Sequence, residues 1–208
     1  MKSTELWHHI HTERANLIDT WIGLTTQQWA TPSLCEGWSV QDVAGHVVGG
    51  AEQTPFGFVS DLAKAGFKFD RFTTSQAKKN GAAGPTDLVR RLQARTTTTN
   101  HPPGPASAML GEIVVHGADI RRPLKLHYDY PEAALVEVAN SWKDSNLIIG
   151  AKRRIAGLKL RAVDANWAHG DGPEVTGPMI AIVLAMSGRR DAHRDLAGEG
   201  LATLMSRS

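Results

Sequence analysis

The sequence is short of cysteine, aromatic residues and long apolar runs, and these shortages exclude whole classes of protein. Cys35 is the only cysteine among 208 residues, so an internal disulfide framework is impossible. A single free cysteine is typical of a reducing compartment. No stretch approaches the roughly 20 apolar residues that a membrane-spanning helix needs. We therefore expect a soluble cytoplasmic protein with no signal peptide in its first residues and no membrane partner.

An excess of charge of one sign is missing as well. Basic residues number 23 and acidic residues 21, which gives a formal net charge of +2. No run of five or more basic residues occurs, and aromatic residues make up only 6% of the chain. A nucleic-acid-binding domain usually carries a basic patch or stripe. We therefore expect no nucleic-acid partner.

Helical spacing of apolar residues dominates roughly the first 128 residues. It predicts helices over 3–24, from Ser39 to about Ala65, over about 86–97 and over about 106–121. Ser39 and Asp42 form a capping-box pattern at the start of the second helix. The segment HPPGP (101–105) is a strong helix breaker, and residues 66–85 are expected to form a loop. Four helices joined by mostly short connections favour an antiparallel four-helix bundle.

The pattern changes after about residue 128. The segment GLKLRAVDA (157–165) alternates apolar and polar residues, which predicts a strand. Short strands are expected at Trp167–His169 and Pro173–Thr176, with helices at 131–149, Pro178–Met186 and Glu199–Met205. The sequence therefore predicts an α+β chain, with a bundle over residues 1–128 and a small C-terminal α/β domain over 129–208.

Glu112 and His116 are the most informative pair of polar residues. They are four residues apart in GEIVVHGADIRRPL, so on a helix they lie on one face beside an apolar stripe. A carboxylate and an imidazole that point towards a core need compensation for lost hydration. A bound divalent cation would supply it, and so would a salt-bridged or hydrogen-bonded pair.

A metal site would need a third ligand from another helix, and His46 is the best candidate. Two histidines and one glutamate from facing helices are typical of catalytic zinc sites, which keep one coordination position open. Asp119 lies close to one turn beyond His116 and would be placed to accept a hydrogen bond from a ligand. His9 and Glu13 form a rival pair with the same spacing. Cys35 is either a reactive thiol or a small buried hydrophobe.

Three blocks of the sequence resemble the mycothiol-dependent maleylpyruvate isomerase family, within the wider DinB-like four-helix metal-binding proteins. The blocks are WATPSLCEGWSVQDVAGHV (29–47), GEIVVHGADIRRPL (111–124) and GDGPEVTGPMIAIVLAMSGR (170–189). They keep the order of the family's turn-plus-helix block, its Glu-x-x-x-His helix and its C-terminal-domain signature. They also span most of the chain.

The resemblance implies a mechanism. His46, Glu112 and His116 would be ligands of Zn²⁺ or another divalent metal, and mycothiol would be the thiol cosubstrate. Its thiolate would attack a small electrophilic substrate, in an isomerase or an S-transferase reaction. Arg189 would anchor a substrate carboxylate, although it could equally cap the preceding helix. The protein is expected to be a monomer or a homodimer.

Two other functions stay open at this point. A metal-dependent hydrolase would use bound water as its nucleophile in the same metal site. A non-catalytic ligand-binding protein would use the same scaffold, because a fold does not determine a function.

Overall fold

The computed structural model describes residues 1–147 and 149–207, and the chain divides into two compact units between Tyr128 and Asp129. The N-terminal unit is helical. Its elements are α1 (Ser3–Ile22), α2 (Thr26–Trp29), α3 (Val40–Glu52), α4 (Pro55–Lys64), α5 (Phe69–Gly81), α6 (Pro85–Gln93) and α7 (Ser107–Arg121).

The core of this unit lies where α1, α3 and α7 meet their neighbours. Helix α3 packs against α5, α6 and α7, and α1 packs against α6 and α7. Apolar side chains spaced as predicted line these contacts and are almost completely buried, including Leu17, Trp21, Val43, Val48, Leu88, Leu110 and Val114. Burial of this apolar surface is the main term that holds the helices together.

Helix α3 begins where the sequence predicts and ends earlier than predicted. The Ser39 hydroxyl accepts a hydrogen bond from the Asp42 backbone N–H, and the Asp42 carboxylate accepts one from the Ser39 N–H. The prediction that the helix continues to Ala65 is wrong, because it ends at Glu52. Thr54 then caps a new helix, with Pro55 in the first turn, where a missing N–H costs nothing.

The prediction of a loop over residues 66–85 is also wrong, because Phe69–Gly81 forms α5. This helix buries only Phe72, Ala77 and Gly81, so its apolar periodicity is faint in the sequence. Tertiary packing supports it instead. A Cβ at Gly45 of α3 would collide with the backbone of α5, so the two helices approach closely only because that residue is glycine.

The C-terminal unit contains a small sheet and several helices. Its elements are α8 (Glu132–Trp142), α9 (Ala151–Ile155), β1 (Lys159–Ala162), β2 (Ala168–His169), β3 (Glu174–Gly177), α10 (Met179–Met186) and α11 (Leu201–Met205), with a 3-10 turn at Arg190–Asp195. The sheet order is β2-β1-β3, with β1 antiparallel to β2 and parallel to β3. Leu160 pairs with His169 on one side and with Val175 on the other. The fold class is therefore confirmed as a helical N-terminal region with a small mixed sheet after it.

Helix α10 forms the centre of this second unit. All its residues except Ile180 are buried, and it packs against α8, α9 and the sheet. The predicted helix over 131–149 is too long, since α8 ends at Trp142, and residue 148 lies outside the described residues. Within residues 1–147 and 149–207, no helix combines the length and the hydropathy required to cross a bilayer.

Candidate metal centre

The structure places His46 next to each of the other two predicted metal ligands in the N-terminal unit. His46 lies on α3, and Glu112 and His116 lie one turn apart on α7, which packs against α3. The Nε2 atom of His46 is 3.9 Å from Oε1 of Glu112. The His46 and His116 rings meet edge to face with their centroids 4.8 Å apart. His46 is therefore adjacent to both other residues, but among the described residues these three do not form a compact group of ligand atoms.

Asp119 orients the second histidine. Its Oδ2 lies 2.9 Å from Nδ1 of His116, and its side chain is completely buried. A carboxylate in this position accepts a hydrogen bond from the Nδ1–H group, and in the neutral imidazole the lone pair is then on Nε2, available to another partner. Metal-binding histidines are held in this way by a carboxylate or a carbonyl behind the ring.

Cys35 joins the same cluster, a placement that the sequence did not predict. Its thiol donates a hydrogen bond of 3.1 Å to Oδ2 of Asp119, and its sulfur lies 3.8 Å from Nδ1 of His116. The Leu34 backbone N–H donates to the Asp119 carbonyl, which ties this turn to α7. Cys35, His116 and Asp119 form a possible metal-binding triad, because their ligand atoms all lie within 4.8 Å of one another.

The charges in the cluster perturb one another. Burial lowers the pKa of His116, but the hydrogen bond to Asp119 and the contact with Cys35 outweigh burial and raise the pKa to about 10. Burial raises the pKa of Glu112, and the positive charges of His116 and Arg14 partly offset this rise. Strongly shifted titration in a compact cluster is typical of functional sites.

The residues present fit a divalent metal. Imidazole nitrogen and carboxylate oxygen are ordinary Zn²⁺ ligands. The Glu112 carboxylate lies close against α3 at Gly50, where a Cβ would collide with its Oε1 and force the side chain to move. The Trp38 ring packs edge to face on His46, with centroids 5.3 Å apart, and restricts the position of that ring. Packing therefore restricts the positions of the Glu112 carboxylate and of the His46 ring.

The remaining predicted site residues lie elsewhere. Arg189 follows α10 in the C-terminal unit, and its guanidinium donates to the Ser187 carbonyl at the end of that helix. Its role as a substrate anchor therefore stays a prediction. The rival His9–Glu13 pair does not form a metal cluster within the part of the chain that the structure describes. The Glu13 carboxylate instead accepts a hydrogen bond of 2.6 Å from the Tyr128 hydroxyl.

Fold and site together define a helical protein with a candidate histidine–carboxylate metal centre. Residues 10–101, somewhat less than half of the chain, match the model of the mycothiol maleylpyruvate isomerase N-terminal domain. No curated protein matches the chain in sequence.

Two solved structures share the fold across almost the whole chain. One is the crystal structure of the mycothiol-dependent maleylpyruvate isomerase, which is 15% identical, with a TM-score of 0.63 over 96% of this chain and 93% of the other. A histidine-to-alanine variant of that isomerase gives a TM-score of 0.62 at 14% identity, with the same coverage. At these identities the likeness shows the fold alone.

Proposed function

We propose that this protein is a metal-dependent enzyme that uses mycothiol as a thiol cosubstrate, in an isomerase or S-transferase reaction. One observation carries the proposal: Asp119 holds His116 by its Nδ1 atom, while the His46 ring lies against both His116 and the Glu112 carboxylate. The match of residues 10–101 to the mycothiol maleylpyruvate isomerase N-terminal domain supports mycothiol as the thiol.

We propose His46, Glu112 and His116 as the metal ligands. The competing set of Cys35, His116 and Asp119 already satisfies its own hydrogen bonds. Its Sγ–Oδ2 and Nδ1–Oδ2 distances are 3.1 and 2.9 Å. Neighbouring nitrogen and oxygen ligands of tetrahedral Zn²⁺ lie about 3.4 Å apart, as follows from bonds of about 2.1 Å. The shorter distances favour a hydrogen-bonded support behind His116 over a second metal site.

The chain's own residues would act on the cosubstrate through orientation. Asp119 keeps the proton of His116 at Nδ1, so that Nε2 serves as a ligand atom. When a divalent cation is bound, the chemistry supplied is stabilisation of a thiolate near neutral pH, and the thiolate is the nucleophile. Two neutral imidazoles and one carboxylate leave such a site with net positive charge, which suits an anionic sulfur.

The substrate would be a small electrophile that carries a carboxylate. We propose Arg189 as its anchor, because a guanidinium binds a carboxylate through two parallel hydrogen bonds. Arg189→Lys should then raise KM more than it lowers kcat, since a lysine keeps the charge and loses the paired geometry. An unchanged KM for a carboxylate substrate would remove Arg189 from the proposal.

Metal content in two matched variants tests the ligand assignment. Untagged protein should contain about one equivalent of metal by elemental analysis, and His46→Ala should lose it, because two remaining protein ligands bind weakly. Cys35→Ala should keep the metal. The opposite result, with metal lost in Cys35→Ala and kept in His46→Ala, would assign the site to Cys35, His116 and Asp119. Absence of metal from the unaltered protein would overturn the metal-dependent function.

Turnover with and without mycothiol tests the cosubstrate. Activity on electrophilic carboxylates should require mycothiol and should disappear in His46→Ala. Hydrolysis of substrates without any thiol, lost in the same variant, would instead identify a hydrolase with bound water as nucleophile. Mycothiol binding without turnover on any substrate would indicate a binding protein.

A further inference from the structure

A cavity separate from the candidate metal centre lies in the N-terminal unit between α3, α4 and α5. Its volume is about 510 Å³, within the range of roughly 300–1,000 Å³ that is usual for small-molecule sites. It opens on the α5 side of α3, which Gly49 faces, whereas Gly50 contacts Glu112 of α7 on the metal side. We call this cavity the α3–α5 groove.

Buried amide groups hold the wall of the groove in place. Gln53 is only 8% exposed, and its Oε1 accepts a hydrogen bond of 2.7 Å from the Gln76 side chain. Asn80 donates to the Gly45 carbonyl on α3. Gly49 leaves the space for these amides, since a Cβ there would lie 2.8 Å from Nδ2 of Asn80. Polar groups fixed in this way suit a ligand rich in hydrogen-bonding groups.

The acidic residues of the groove already have cationic partners. Glu52 forms two hydrogen bonds with Arg91, of 3.0 and 2.6 Å. Asp61 bonds to Lys64 at 2.9 Å, a contact that lowers the pKa of Asp61. These pairs neutralise both acids.

Two cations of the groove, Arg71 and Lys79, form no salt bridge among the described residues. Arg71, Ser75 and Lys79 are spaced four residues apart along α5 and line the cavity as one stripe. Among residues 1–147 and 149–207, neither Arg71 nor Lys79 has a carboxylate within salt-bridge distance. Lys79 acts on Asp61 only at longer range, so the lining carries two cations without an ion-pair partner and a hydroxyl between them.

We propose that the α3–α5 groove binds a phosphate ester of a small polar molecule. A phosphate monoester carries between about −1.5 and −2 charges at pH 7, which matches two cations better than a single carboxylate does. The Arg71 guanidinium suits the geometry of phosphate oxygens. The amides of Gln53, Gln76 and Asn80 suit the hydroxyl groups of the rest of such a ligand.

Calorimetric titration of the full chain with glucose 6-phosphate, at low ionic strength, tests the proposal. Binding should be one to one, and glucose should bind much more weakly. Arg71→Gln and Lys79→Gln should each weaken binding about tenfold, the size expected for a lost charged hydrogen bond. Ser75→Glu should abolish binding, because it places a negative charge between the two cations. Lys68→Gln removes the same charge outside the groove and should leave the affinity unchanged.

Vesicles distinguish a free phosphate ester from a lipid headgroup, since Phe56 and Phe67 near the groove are 86% and 74% exposed. Binding to phosphatidylglycerol vesicles but not to glucose 6-phosphate or phosphatidylcholine vesicles would identify a lipid headgroup as the source of the phosphate. It would support binding in the groove if the variants weaken it in the order given above. Lack of binding to either probe would overturn the proposal. An equal loss of affinity in Lys68→Gln and Arg71→Gln would also overturn the proposal, because non-specific attraction to the positive charge of the protein would then explain the binding.

Discussion

The two units of this protein bury different kinds of side chain. In the N-terminal unit the buried polar residues are Glu13, Arg14, Gln53, Asp119 and Arg121. In the described part of the C-terminal unit, Ser187 is the buried polar residue and the rest of the buried side chains are apolar. The second core is therefore stabilised by apolar packing, whereas the first also depends on satisfied polar groups.

Every charge buried in the N-terminal unit has a specific partner. Arg14 donates to the backbone carbonyls of Arg95 and Thr98, at 2.9 and 2.7 Å. The Arg121 guanidinium lies over the Tyr128 ring, 3.8 Å from its centroid. Buried charges with such partners are costly to disturb and are rarely needed for stability alone. The first core therefore combines apolar packing with paired polar groups, whereas the second core is almost wholly apolar.

The strongest test of this contrast is a volume change in the apolar core. Leu184 of α10 is completely buried, so Leu184→Ala should lower the free energy of unfolding by about 2–5 kcal/mol through the cavity it leaves. Leu147 is 81% exposed, and Leu147→Ala should change stability by less than about 0.5 kcal/mol. Urea denaturation followed by tryptophan fluorescence measures both. If Leu184→Ala protein folded but lost its metal, the apolar core of the C-terminal unit would not be independent of the candidate metal centre.

A smaller effect is expected from a polar change behind the metal centre. Asp119→Asn keeps the shape of the side chain and removes the charge that holds His116. Metal affinity should fall about 10–100-fold, as is usual when a residue that hydrogen-bonds to a metal ligand is replaced. Competition with a chelator measures this change, and Asp19→Asn, an exposed change on α1, should leave the affinity unaltered. Complete loss of metal would make Asp119 a ligand itself.

The smallest effect concerns the pH dependence of Glu13. Burial raises the pKa of Glu13, and the hydrogen bond from Tyr128 and the charge of Arg121 offset this only in part. A raised pKa in the folded state stabilises the protein below the unfolded pKa, near 4.5. This contribution is lost as the pH rises through the folded pKa. The loss is about 1.4 kcal/mol for each tenfold difference between the folded and unfolded acid dissociation constants.

Glu13→Gln removes this titration and keeps an acceptor for Tyr128. The stability of the unaltered protein relative to Glu13→Gln should therefore fall as the pH rises above about 4.5, in urea denaturation at several pH values. Glu5→Gln, on the exposed face of α1, should show no such trend. A difference that rises with pH would mean that Arg121 and Tyr128 outweigh burial.

Much of the fold could be predicted because its signals are local. The apolar stripes of α1, α6 and α7, the capping box of Ser39 and the alternation in β1 lie within single elements. The spacing of Glu112 and His116 likewise specifies one helix face. The sequence pattern does not predict helix α5, because the helix is largely polar and has no continuous apolar stripe. Its packing against α3 stabilises it instead. The end of α3 was missed because Thr54 and Pro55 restart a helix almost without a gap.

The convergence of the site required tertiary structure. Cys35 and Asp119 are 84 residues apart, and no spacing rule connects them. The α3–α5 groove depends on α5. A loop over residues 66–85 would not align Arg71, Ser75 and Lys79 on one face, so the sequence prediction could not include the groove.

Local sequence was sufficient to specify which residues carry the donor atoms and on which helix faces they lie, because side-chain direction on a helix follows from residue number. Packing decided which of those faces meet. Glycines at positions 45 and 50 let α5 and Glu112 approach α3, and the turn at Cys35 docks on α7 through the Asp119 carbonyl. Such contacts form only when the apolar surfaces of distant segments are buried together. The free energy of that burial depends on the whole unit rather than on any one segment.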